Sequence, residues 1–331
     1  MRKSTKIILG IAGSLIVVGG ICWILVLALI HGDWQRLSVY DPDESTQRQT
    51  YSIPAEQVHS LQIQAVDHTV RILVADTDQV QISYMERQDE TYSIDLDDQG
   101  NLTIHYQQDR HWIQNWFQLP GWDRQDTDLV LTVPNFLAGG AKIQTVSGNL
   151  YLEGLSIQGP LEVETTSGDV LLTNIHIHDK FDFSSISGDL QGIHCWINQN
   201  GSDLKTTSGD IALSDCQIQG SLQSSTVSGE ADLQRVSVSG DLSLSSTSGD
   251  MDLENVSAQN YSFATTSGDI DGLLCGDETM YTVVSSTSNG DLRLPVGRAQ
   301  GPLTLRVKTT SGDVNLAMEP ITRKNISPTE Y

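Results

Sequence analysis

The chain has 331 residues, of which 38% are apolar, with 19 Lys and Arg against 42 Asp and Glu and a formal net charge of −23. Three of the basic residues, Arg2, Lys3 and Lys6, precede the first acid, Asp33, so the chain after Lys6 holds 16 basic against 42 acidic residues, a net −26. Such a surface repels nucleic acid and anionic headgroups, and it attracts divalent cations, cationic peptides and basic proteins; nucleic-acid binding is the first function class excluded.

From Ile7 to Ile30 no residue is charged. As a helix this run spans roughly 36 Å, enough to cross a bilayer. It ends Leu27-Ala28-Leu29-Ile30-His31, without the small-x-small site of a cleaved signal peptide. The expectation is therefore a single-pass cell-membrane protein with a cytoplasmic tail over 1–6, an uncleaved anchor over 7–30 and the acidic remainder extracellular, since basic residues stay on the inner side. Cys22 follows Ile21, where a lipoprotein site needs a small residue, and reads as a lipid-buried thiol. Residues 31–50 contain Asp41-Pro42-Asp43-Glu44-Ser45 and read as a hydrated linker.

Residues 51–135 alternate at period two, as in Leu61-Ile63, Val70-Ile72-Val74, Val80-Ile82-Tyr84, Leu102-Ile104-Tyr106 and Leu129-Leu131-Val133. Strands separated by polar turns follow from that pattern. Interrupting them is an aromatic stretch over 111–122, which holds three of the six tryptophans.

A repeat occupies 136–318, marked by Thr-Val-Ser-Gly-Asn, Thr-Thr-Ser-Gly-Asp and close variants, with marker glycines at 148, 168, 188, 209, 229, 249, 268, 290 and 312. Two positions after the marker stand Leu150, Val170, Leu190, Ile211, Ala231, Met251, Ile270, Leu292 and Val314. Four after it stand Leu152, Leu172, Leu213, Leu233, Leu253, Leu294 and Leu316, interrupted by Gly192 and Gly272. Further apolar columns lie seven and nine after it, the former including Cys195, Cys216 and Cys275. A third strand approaches the next marker, as in Leu161-Val163-Thr165, and Gly159, Gly201, Gly220 and Gly240 mark a second corner. One such repeat cannot bury its apolar face alone; stacking does, which predicts an all-β, parallel β-solenoid of about 20 residues per coil and roughly 43 Å for nine coils. Residues 319–331 read as a C-terminal tail. At the marker, glycine is expected to supply positive φ for a sharp corner, the preceding hydroxyls to bond the turn, and the following Asp to cap that same turn.

The Ile-Pro-Ala opening at Ile53, the Leu-Thr-Val-Pro at Leu131 to Pro134 and the Ser-Gly-Asp run together resemble the bacterial "putative adhesin" domain family over residues 50 to 318. The resemblance implies a β-repeat-rich domain of unassigned function, displayed at a bacterial surface, with no catalytic residues to carry over.

Candidate sites follow from the columns. The acids Asp169, Asp189, Asp210 and Asp250, with Glu230, Asp269, Asp291 and Asp313, form a ladder about 4.8 Å apart in which a divalent cation can bridge neighbours; the competing reading, favoured by the lack of a dense oxygen cage, is a turn cap. Cys195 and Cys216 are core fillers in adjacent coils, and a disulfide between them stays open as an alternative. His176, His178 and Asp179 are weighed as metal ligands against a solvated strand face. Trp112, Trp116, Phe117 and Trp122 are candidate contacts for glycan or membrane, or a cover for the open solenoid end. Lys180, Lys205, Arg235 and Arg293 are scattered and share no column with one another, and no nucleophile elbow or phosphate loop is present, so no catalytic residue and no cofactor is expected. The functional expectation is a noncatalytic, adhesin-like binding or envelope-sensing scaffold that meets cationic peptides, envelope polymers or partner proteins. The alternative is a glycan-active β-helix enzyme of the cell envelope.

Overall fold

The computed structural model describes residues 47–86, 90–108, 128–198 and 201–320; the tail over 1–6, the anchor over 7–30 and the aromatic stretch over 111–122 lie outside the described residues. Among the described residues no helix is long and apolar enough to cross a membrane.

The repeats stack as a parallel β-solenoid. A typical coil runs along Leu161–Thr165, turns at Gly168, runs back along Val170–Thr173, bends at Asn174, continues through His176–Ile177 and turns again into Phe181–Ser184. Strands before the markers form one sheet and strands after them another, with neighbours pairing in parallel one repeat apart, as in Leu161↔Phe181 and Val170↔Leu190. The apolar columns read from the sequence line the space between the sheets: Leu152, Leu172, Leu213, Leu233, Leu253 and Leu316 are all buried. Leu292 and Leu294 are only partly buried, because their coil is the outermost and has a neighbour on one side alone. Gly192 interrupts its column because the space is filled already. A Cβ there would come within 2.8 Å of Leu213 Cδ2, beside the Cys195 and Cys216 sulfurs.

The marker glycines do not serve the conformation expected of them. Of the nine, only Gly290 has a positive φ, at 141°. Glycine is required by stacking: a Cβ on Gly229 would lie 2.5 Å from the Gly209 carbonyl carbon and closer still to its oxygen, and the same overlap recurs along the row. Seven of the nine marker turns are closed from within by the hydroxyl three residues before the glycine. Thr165, Ser185, Thr206, Thr226, Ser246, Thr265 and Thr309 accept the glycine N–H at 2.7–3.0 Å, all but Ser246 being buried. These bonds satisfy donors that the tight turn removes from both the ladder and water.

The left-handed corner lies six residues after the marker, at Gly154, Asn174, His194, Asp215, Arg235 and Asn255, with φ of 53–74°. Asn, Asp and Gly tolerate that region; His194 and Arg235 adopt it at a cost of roughly 1–2 kcal/mol each. Replacing His194, φ 53°, by Gly is expected to raise stability by about 0.5–1 kcal/mol, the relief of strain less the entropy of glycine, read as a higher urea midpoint. A lowered midpoint sinks this account of the corner.

Two further coils precede the repeats. Ser60–Gln64 pairs in parallel with Ala141–Thr145, and Val70–Val74 with Leu150–Glu153; outside them lie Asn101–Gln108 and Leu129–Val133. In the inner of these coils His68 takes the marker's place, and Gly148 stacks on its carbonyl as Gly168 stacks on Gly148. The stack ends where direction reverses: Gln79–Glu86 runs antiparallel to Leu129–Val133, Glu90–Leu96 antiparallel to Asn101–Gln108, and Gln47–Pro54 antiparallel to Gln79–Glu86. Tyr84, Tyr92 and Tyr106 pack there edge to face, with ring centroids 5.0 and 5.5 Å apart.

At the far end the stacking order departs from chain order. Tyr261 and Phe263 pair with Leu305 and Val307, and Ile270 with Val314, so the Gly312 coil sits directly on the Gly268 coil. The Gly290 coil stacks outside it, through Tyr281↔Leu303 and Leu292↔Val314.

Candidate binding surface

Because every coil repeats the last, each outward position becomes a straight row along the solenoid. The acidic row after the markers is held by bonds between coils. The aspartates Asp169, Asp189, Asp210, Asp250, Asp269 and Asp313 each accept the backbone N–H of the acidic residue on the next coil, so the expected cap is made on the neighbouring turn. Asn149 receives Asp169, Asp169 receives Asp189, Asp189 receives Asp210 and Asp210 receives Glu230, at 2.8–3.2 Å. Asp250 receives Asp269, Asp269 receives Asp313 and Asp313 receives Asp291, all at 2.8 Å, so the ladder order at the end is Asp269, Asp313, Asp291. One oxygen of each linked carboxylate is thereby occupied by the backbone. Among the described residues no group of three or more His, Cys, Asp or Glu is placed to hold a metal ion.

A second acidic surface, unmarked by any motif, lies on the outer face of the post-marker sheet. Asp232, Asp252 and Asp271 are in register on adjacent strands, bordered by Gln234 and Glu254 around a shallow depression. Burial, then the charges of Asp232, Asp271 and Asp250, push the Asp252 carboxyl above the usual carboxylate range. The signal was present as the position three after each marker, but only pairing shows that consecutive acids there adjoin.

Several basic residues are matched to acids. Lys142 meets Glu162 at 2.9 Å and Glu164 at 3.1 Å, Lys180 meets Asp182 at 2.8 Å, Lys205 meets Asp203, and Arg235 grips Asp215 with two bonds of 2.6 and 2.7 Å. Hydrogen bonding from Arg235 holds the Asp215 carboxyl below its ordinary range. Half-exposed pairs of this kind add little stability each, and their effect is to fix side-chain positions along the rows.

His176 and His178 project from one strand end with ring centroids 4.5 Å apart and planes 24° from parallel. A shared metal needs both nitrogens aimed at one point about 2.0–2.1 Å away, whereas near-parallel rings direct their lone pairs side by side. Ser156 Oγ lies 3.2 Å from His178 Nε2. Cys195 and Cys216 are buried free thiols, and Cys275 is buried in the same column. The adjacent Cys195 thiol and then burial push the Cys216 thiol well up, which keeps it protonated and inert. Trp112, Trp116, Phe117 and Trp122 lie outside the described residues.

A family model described as Toastrack DUF4097 matches residues 58–317. No curated protein sequence matches the chain. Among solved structures it is similar to a "putative lipid binding protein" of Parabacteroides distasonis, at 13% identity and a TM-score of 0.48, with 83% of this chain and 98% of that one covered. It is also similar to a "putative adhesin" of Bacteroides fragilis, at 12% identity and a TM-score of 0.38, covering 83% of this chain and 99% of that one. A "putative adhesin" of Parabacteroides merdae follows at 10% identity and a TM-score of 0.31, covering 84% and 98%.

Proposed function

We propose, from the premise that the chain belongs to the Toastrack family, that it is a noncatalytic, adhesin-like scaffold anchored by residues 7–30 and displayed outside the cell. The observation that supports this reading best is the row architecture. A packed stack of strands in parallel register repeats each outward side chain about every 4.8 Å, a surface suited to extended, repetitive ligands. Its acidic rows and the net charge of −23 favour cationic peptides, cationic segments of envelope polymers or basic partner proteins, and disfavour nucleic acid. Divalent cations act on such rows as loosely held counterions. The three basic residues before Ile7 support an inward N-terminus.

The test has two arms. Protease added to intact cells is expected to digest the acidic domain; survival there, with digestion only after lysis, reverses the orientation. The full chain in detergent is expected to co-sediment with isolated cell envelopes, and to release from them at high salt, since exposed charge attraction is screened within about 8–10 Å. Failure to sediment at low salt removes the binding role.

A further inference from the structure

One outward row differs from the rest of this acidic molecule. Beyond the left-handed corner of the post-marker sheet, Ser156, His176, Trp196 and Gln217 stand in register on four successive coils. Trp196 is the only tryptophan among the described residues and is 40% exposed in spite of its size. Its neighbours in the row are a histidine and a glutamine, so its outer face covers no apolar core. The ring is nevertheless held: indole Nε1 donates to Asn198 Oδ1 at 2.7 Å, and the His176 ring lies 5.4 Å away, with His178 stacked on it in turn.

The polar groups around this plate are uncharged. Burial first, and His178 second, hold the His176 imidazole below its ordinary range, so it is neutral at pH 7. Its Nε2 is buried without a hydrogen-bond partner, so the ring serves this row as a neutral wall beside the indole and not as a group reaching solvent. Asn198 and Gln217 each offer an amide, with both donors and an acceptor. A cationic ligand gains nothing from this row compared with the acidic rows elsewhere. An anionic one is repelled by the molecule as a whole.

A fixed indole face beside neutral amide, imidazole and hydroxyl groups matches the two faces of a pyranose: a patch of C–H groups that lies against an aromatic ring, and hydroxyls that exchange hydrogen bonds around it. We propose that the row centred on Trp196 is a binding site for a neutral oligosaccharide, with one sugar ring stacked on Trp196, the His176 ring backing it, and its hydroxyls bonded by Asn198 and Gln217. The polymer then runs across the coils. This deepens the binding reading above and rests on it only in taking the chain to be a binder.

The experiment is calorimetric titration of the detergent-solubilised full chain with cellohexaose, chitohexaose and maltohexaose as neutral probes, polygalacturonate as an acidic probe and hexalysine as a cationic one. At least one neutral hexasaccharide is expected to bind. W196A is expected to weaken that binding about tenfold or more, as for a central aromatic anchor, and Q217A by a few fold, while W196F retains most of it. W196F and Q217A, which leave the packing beside His176 largely in place, are expected to keep the wild-type unfolding midpoint, and Q217A provides the readout if W196A loses stability. Binding of no neutral hexasaccharide, or equal binding by wild type, W196A and Q217A, overturns the saccharide site. Tight hexalysine binding untouched by W196A, with no neutral sugar bound, overturns it while leaving the broader scaffold reading in place. Preferential binding of polygalacturonate overturns it as well.

Discussion

Gly229→Ala is expected to cost about 3 kcal/mol or more, although it adds one methyl group at a surface corner. The Cβ would lie 2.5 Å from the Gly209 carbonyl carbon, where ordinary contact begins near 3.4 Å, and 3.0 Å from Thr226 Oγ1. Neither neighbour can yield cheaply. The Gly209 carbonyl belongs to the turn below, and Thr226 accepts the Gly229 N–H at 2.8 Å. Opening the corner stretches two further bonds between coils, from Ser228 N–H to the Thr207 carbonyl at 3.0 Å and from Glu230 N–H to Asp210 Oδ1 at 2.8 Å. Overpacking by a methylene ordinarily costs about 1–3 kcal/mol, and each lost bond adds about 1 kcal/mol. Urea unfolding of the full chain in detergent measures the sum. A loss below about 1 kcal/mol is incompatible with the close stacking of turns. A comparable loss is expected at any marker between Gly148 and Gly268, since the same overlap recurs there.

Leu213→Asp is expected to be at least as damaging, at about 3–5 kcal/mol at pH 8, because it leaves an unpaired charge in the core. Leu213 is 3% exposed, in register with Gly192 on one side and Leu233 on the other. The side chain shares the space beside Gly192 with the free thiols of Cys195 and Cys216, and neither supplies a positive charge. Burial raises the folded-state pKa of the new carboxyl above its unfolded value near 3.9. The penalty is therefore full at high pH and shrinks as pH falls through the raised folded pKa, where the group takes up a proton. The deficit against wild type should be smaller at pH 5 than at pH 8. Coils are stabilised by their neighbours, so the damage extends to the flanking repeats and broadens the transition. A midpoint indifferent to both the substitution and pH means that Leu213 does not face the core.

The amino-acid sequence by itself determined the repeat, its period and the inward columns. An interior position in a stacked fold must be apolar in every coil, and nine copies display that rule without reference to coordinates. It also located the corners, since Gly, Ser, Thr and Asp recur there. What those residues do was decided by tertiary structure. The marker glycine reads as a positive-φ residue within its own repeat, yet the constraint on it comes from the carbonyl of the coil below, an atom 20 residues away for Gly168 over Gly148. The left-handed corner at Asn174, His194 and Arg235 was hidden because side chains other than Gly adopt it when the flanking strands are pinned. The carboxylate of Asp189 likewise bonds the next turn, accepting the Asp210 N–H across 21 residues of sequence.

Stacking order and surface rows also required the folded chain. The Gly312 coil inserts between the Gly268 and Gly290 coils because any coil of this family of columns can hydrogen-bond any other, so composition is blind to the exchange. The first two coils carry no Ser-Gly-Asp marker, His68 standing where one of them would have its glycine, and only their strand pairing reveals them as coils. Trp196 and His176 are 20 residues apart in sequence and adjacent only across a ladder. Periodicity names the face of a strand on which a side chain lies; which residues meet on that face is set by pairing between strands, a long-range choice that the sequence carries only as a whole.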